Sequence, residues 1–307
     1  MQSSIIFIAF VHSAFATFDE DIHKQFKSLP QVEFVEYFNK LNTTWKVQQY
    51  DVKELAHRVS KYVGETEHLP KISYTDKKDD LPVNFDARKK WAKCPSIGKI
   101  FDQGQCGSSW AFGVTTTISD RMCIHANQTV QISERDIQCC KHSYSENFCS
   151  GGLPSGAFLC WMATGLVSQE CKPYNVEKLK TEKCTESCDQ GKYYKSDKYY
   201  GRMAYQIAED PVSIKWELVN MGPIDGLFIV YEDFLTYSKG IYEHKFGAAL
   251  GVLSVRIIGY GEENGVLYWL AANSWGKSWG EGGFFKIRRY QPNLYFEYLL
   301  LSGIPSL

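Results

Sequence analysis

The hydrophobic pattern changes period along the chain. Residues 5–11 form a short apolar run that ends before Ala14-Phe15-Ala16, a small-x-small sequence of the kind signal peptidases cut. Residues 17–80 are charged and aromatic, with Val32, Val35, Tyr37, Phe38 and Leu41 at helical spacing. From residue 81 to about residue 198 the pattern predicts helices joined by loops. The longest covers residues 110–126, residues 154–164 make a shorter one, and Ser133 stands as an N-cap ahead of a third. From about residue 199 onward the apolar residues are β-branched or aromatic. Residues 253–260, 266–272 and 284–289 are such runs bounded by glycines, and read as strands. A helical half precedes a β half, so the fold class is α+β, two lobes with a cleft between them.

Composition narrows this picture. The 307 residues are 44% hydrophobic and 15% aromatic, enough for a full core and too apolar for a disordered chain. A net charge of −1 gives no electrostatic case for nucleic acid or an anionic membrane. The run at 5–11 is shorter than the ~20 apolar residues a membrane span needs, and no later segment reaches that length. All ten cysteines lie after Lys93, with no paired Cys-x-x-Cys arrangement for zinc. They point to disulfides in an oxidising compartment, and to neither metal nor cofactor. Residues 1–16 are therefore expected to be a signal peptide. Residues 17–80, free of cysteine and closed by the charged run Asp76-Lys-Lys-Asp-Asp80, are expected to be a pro-segment, with a permanent N-terminal domain as the alternative. Asn42 and Asn127 head glycosylation sequons.

Candidate chemistry centres on Gln103-Gly-Gln-Cys-Gly-Ser-Ser-Trp-Ala-Phe112. Small residues lead into a helix, whose N-terminal N–H groups and dipole favour negative charge. The stretch resembles the nucleophile segment of papain-like cysteine peptidases, C-G-[SA]-C-[WY]. Residues 81–88, Leu81-Pro-Val-Asn-Phe-Asp-Ala-Arg88, resemble the start of a mature cathepsin B. The resemblance implies a papain-like fold, residues 81–307 as the peptidase domain, and a set of site positions. Gln103 takes the place of the oxyanion glutamine and Asn273 that of the amide that orients the catalytic histidine. Trp275 and Trp279 match the tryptophans over that amide. Gly151 and Gly152 match the glycines lining the substrate cleft, and Leu299 the base of the main specificity pocket. Four disulfides are implied: Cys94–Cys123, Cys106–Cys149, Cys139–Cys184 and Cys171–Cys188. Cys140 and Cys160 are left over, with Cys160 read as a small core residue.

Two positions depart from the family pattern. Ser109 stands where the nucleophilic cysteine belongs. The strand Gly251-Val-Leu-Ser-Val-Arg-Ile-Ile-Gly-Tyr-Gly261 puts Leu253 at the histidine position, and His244 matches a non-catalytic one. Residues 175–183 also lack the histidine pair with which cathepsin B blocks one end of its cleft. The reading is a catalytically inactive cathepsin B-like homologue that binds peptides, proteins or peptidase inhibitors in its cleft. It is expected to be monomeric, and secreted or lysosomal. The alternatives are residual peptidase activity from Ser109 with an unforeseen base, and a duplicate without function.

Overall fold

The computed structural model describes residues 18–61, 69–77, 81–140 and 147–306. The signal-peptide reading of residues 1–16 lies outside these residues, as do residues 78–80 of the linker.

The N-terminal segment is built of short pieces. Helices α1 (Glu20–Ser28) and α2 (Gln31–Lys40) precede strand β1 (Trp45–Val47), helix α3 (Val52–Ala56) and strand β2 (Lys71–Ile72). Asp19 caps α1 and Asp51 caps α3, each accepting a first-turn backbone N–H. The helical pattern around Val32 is present in α2, but Val32 itself is 54% exposed. Phe34 and Phe38 carry the buried stripe instead, with Val35, Tyr37 and Leu41 half-buried beside them. Together with Trp45, Val47, Leu55 and Val59 they join the largest core cluster of the whole protein.

Strand β3 (Phe85–Asp86) and helix α4 (Ala87–Lys90) open the next lobe, followed by α5 (Ser109–Ala126), α6 (Pro154–Ala163) and α7 (Val176–Thr181). Ser133 does serve a helical turn, accepting the N–H of Asp136 at 3.1 Å ahead of residues 135–139. The remaining elements are β4 (Gly201–Ile207), α8 (Pro211–Asn220), β5 (Ile224–Tyr231), β6 (Tyr237–Tyr242), β7 (Ala249–Glu263), β8 (Val266–Ala272), β9 (Phe284–Arg288) and β10 (Leu299–Pro305). The sheet runs β1-β6-β9-β8-β7-β5-β10-β4-β2, with β3 on β7. β7 is longer than its sequence run because β5 pairs its first half and β8 its second. Helix α5 is buried on nearly all sides. Arg121 fastens it to the β half through the carbonyls of Gly222, Pro223 and Gly303, the hydroxyl of Tyr205 and the carboxylate of Glu217.

Disulfides join Cys94–Cys123, Cys106–Cys149, Cys139–Cys184 and Cys171–Cys188. The structure corrects the reading of the other two cysteines, because Cys140 and Cys160 form a fifth bridge. Cys160 is half-buried rather than a core residue. Packing explains the pair: α6 and the turn ending at Cys140 share one hydrophobic cluster, which brings two half-cystines together across 20 residues of sequence.

Candidate active site

Ser109 opens α5, with Ser108 as the cap position. Disulfide Cys106–Cys149 pins the preceding turn, and the N–H of Gly107 donates to the carbonyl of Cys149 at 2.8 Å. Only glycine fits at 107, since a Cβ there would stand 2.5 Å from that oxygen. The Tyr174 hydroxyl holds the turn from the other side, 2.7 Å from both the carbonyl of Gln103 and Oγ of Ser108. Burial pushes that phenol well above its ordinary pKa.

Gln103 is fully buried. Its Oε1 accepts from the Ser274 hydroxyl at 2.7 Å, which turns Nε2 toward the cleft. Nε2 donates to the carbonyls of Arg58 (2.8 Å) and Cys106 (2.6 Å). A peptide carbonyl of the N-terminal segment thus lies on the amide that the resemblance assigns to an oxyanion.

Residues 58–61 run through the cleft between the lobes. Ser60 pairs by its backbone with Val252 at 3.1 and 3.0 Å, and the N–H of Lys61 donates to the carbonyl of Ser150 at 2.9 Å. The Ser60 hydroxyl donates to the carbonyl of Gly107 at 2.8 Å and lies 3.3 Å from Oγ of Ser109. Arg58 anchors the segment by ion pairs of 2.7 Å with Glu54 and Asp102. Arg58 and Ser60 escaped the sequence reading. No periodicity or motif marks them, and their partners Asp102, Gly107 and Ser109 lie 44 to 49 positions away.

Among the described residues, Oγ of Ser109 has one other partner, the N–H of Ser254 at 3.3 Å. The Ser254 hydroxyl donates to the Asp225 carboxyl beside Gly113, one turn after Ser109 on α5. Burial pushes the Asp225 carboxyl up to about 7, and the Ser254 hydroxyl bond offsets only part of that. Among the described residues no direct hydrogen bond joins this carboxyl to Oγ of Ser109. Leu253 is fully buried in the largest core cluster, directly opposite Phe228 on β5. His244 is engaged elsewhere: its Nδ1 lies 3.0 Å from Asp233 and its ring stacks on Tyr231 at 3.7 Å.

Asn273 lies between β8 and the 274–283 turn. Its Oδ1 accepts the N–H of Ser274 at 2.8 Å, while its buried Nδ2 has no hydrogen-bond partner among the described residues. Trp275 and Trp279 are buried in edge-to-face contact with centroids 5.2 Å apart. Gly151 and Gly152 are buried and follow Ser150. Leu299 begins β10 opposite Leu227 and is half-buried. Among the described residues no group of three or more His, Cys, Asp or Glu side chains could hold a metal ion, and no helix is long and apolar enough to cross a membrane.

Comparison with known proteins agrees with this architecture. Residues 81–296 match the profile of the papain family cysteine proteases. A gut-specific cysteine proteinase of Caenorhabditis elegans is 37% identical over 292 residues, covering 88% of this chain and 89% of that one. Cathepsin B-like cysteine proteinase 5 of the same organism is 35% identical over 93% of both chains. Among solved structures, procathepsin B S9 of Trypanosoma congolense superposes with a TM-score of 0.80 at 32% identity, covering 91% of this chain and 98% of that one. A digestive procathepsin L 3 of Tenebrio molitor shares the fold, with a TM-score of 0.70 at 23% identity over 94% of this chain and 99% of that one.

Proposed function

Because this chain belongs to the papain family of cysteine proteases, and is cathepsin B-like, we propose that it holds an extended peptide in its cleft without cutting it. The observation that carries this reading is the surroundings of Ser109, whose hydroxyl, among the described residues, hydrogen-bonds to another hydroxyl and a backbone amide and to no ionisable side chain. A serine alcohol is a poor nucleophile without an adjacent base, and a leucine supplies none. In a well-studied peptidase, loss of either nucleophile or base costs about a million-fold. What remains there is roughly 10³–10⁴ over water, from the oxyanion site and binding alone. The cleft itself accepts peptide backbone, as Ser60 bridges Val252 on one side and the N–H of Lys61 donates to Ser150 on the other.

The same reading takes residues 1–16 as a signal peptide, 17–80 as a pro-segment and 81–307 as the domain. It places the protein in the secretory pathway, outside the cell or in lysosomes, in keeping with five disulfides. The exposed Asn42 and Asn127 would carry glycans, which a mass loss on endoglycosidase treatment reports.

The test is restoration. After cleavage in the 76–80 linker, the unmodified protein, Ser109→Cys and Leu253→His should each leave a fluorogenic dipeptide amide intact. The double variant should turn it over. Turnover by the unmodified protein that disappears in Ser109→Ala would overturn the reading.

A further inference from the structure

Beside the segment that carries Gln103 lies an open pocket of about 440 Å³. Its size falls in the range of small-molecule sites. Three rings form the walls. Phe101 and Phe112 have centroids 6.0 Å apart, and Phe112 meets Tyr174 edge-on at 4.7 Å. Lys99, Gln131 and Gln169 supply polar groups, and Asp102 and Glu170 complete the lining.

Most of those polar groups are already used. Asp102 is paired with Arg58 and Glu170 with Lys192. Gln169 is spent on both sides, its Oε1 accepting the N–H of Tyr174 and its Nε2 donating to Glu134. Lys99 differs. Among the described residues it takes part in no ion pair, and its ammonium sits 4.7 Å from the Phe101 ring centroid. Gln131 is only loosely held, with Nε2 contacts of 3.4 and 3.5 Å. The equipment left is therefore one cation in no ion pair, although its charge also reaches the buried Glu134, and one amide donor beside an aromatic slot, a combination for an anion carried on a ring.

We propose that this pocket binds a small aromatic carboxylate. The ring packs among Phe101, Phe112 and Tyr174, and the carboxylate meets Lys99 and the amide of Gln131. The site adjoins the cleft, and Tyr174 and Asp102 touch both. Its occupancy is independent of whether Ser109 reacts.

Titration calorimetry on the full chain decides the matter, with N-acetyl-L-phenylalanine as probe. N-acetyl-L-phenylalaninamide lacks the charge and N-acetylglycine lacks the ring. A ligand of this size in such a pocket is expected to bind with a Kd on the order of 1 mM. Both comparison compounds should bind about tenfold more weakly. Lys99 is exposed, so Lys99→Gln keeps the fold, and it should weaken the acid about tenfold while leaving the amide unchanged. Lys93→Gln, at another exposed lysine, should change neither. The proposal fails if the acid gives no binding at ten times that concentration, if acid and amide bind alike, or if Lys99→Gln binds the acid as tightly as the unmodified chain.

Discussion

Leu253 is a core residue by every local measure: it is fully buried, cross-strand to Phe228, and part of the cluster that includes Val59 and Phe38 of the N-terminal segment. Leu253→Ala should therefore cost about 2–5 kcal/mol in urea unfolding, the usual loss for a truncated buried leucine. Ser109→Ala removes one hydroxyl with two long contacts of 3.3 Å, and should cost no more than about 1 kcal/mol. A large loss for Ser109→Ala with little for Leu253→Ala would contradict this account of the two positions. The unpaired Nδ2 of Asn273 belongs to the same picture. The amide keeps its place because Trp275 and Trp279 pack around a rigid turn. Its Oδ1 has turned to a neighbouring backbone N–H instead of an imidazole.

At the scale of elements, the N-terminal segment contributes both core and cleft. Besides residues 58–61, β2 adds a parallel strand to the edge of β4, and Tyr74 stacks on Trp216 of α8 at 4.0 Å. Arg58→Ala removes two ion pairs and leaves Asp102 without its partner. Protease digestion of the N-terminal segment should then proceed several-fold faster, with the family-matched residues 81–296 surviving; an unchanged rate would show that Arg58 does not anchor it. The Cys140–Cys160 bridge ties α6 to the turn before it. Peptide mapping without reduction should recover all five bridges. Replacing both cysteines by serine should cost about 2–4 kcal/mol, and an unaffected unfolding midpoint would remove the bridge from the account of stability.

For the whole molecule, three buried carboxyls raised by burial, Asp120, Glu134 and Asp225, tilt the pH dependence the same way. Burial pushes both Glu134 and Asp225 up to about 7, from ordinary values of 4.5 and 3.8. An unfolded chain ionises these groups near pH 4, whereas the folded protein holds their protons until about pH 7. Folding takes up protons in that window, so stability falls as pH rises from about 4 to 7. Asp189 acts oppositely, held down to about 2 chiefly by its bond to Arg135, so its contribution is present above pH 4 and is lost as pH falls toward 2. The melting temperature should peak near pH 4–5 and lie a few degrees lower at pH 8. Asp225→Asn should flatten part of the slope. A melting temperature higher at pH 8 than at pH 5 would refute the assignment.

Much of this was legible in the sequence because it is local. Glycines and small residues before an apolar helix mark the turn at 103–109. Alternating β-branched runs mark β7, β8 and β9, and the register of residues 251–261 places Leu253 at a fixed distance from Gly259. Those features depend on neighbours within about a dozen positions, where period and turn chemistry act. Tertiary structure alone decided what lies far apart in the chain. It set Ser60 against Ser109, left a buried amide of Asn273 without a partner, joined Cys140 to Cys160, and opened a pocket between Phe101 and Tyr174. Each depends on how two surfaces pack, and packing is fixed by shape and burial summed over the whole chain, which no single window of sequence contains.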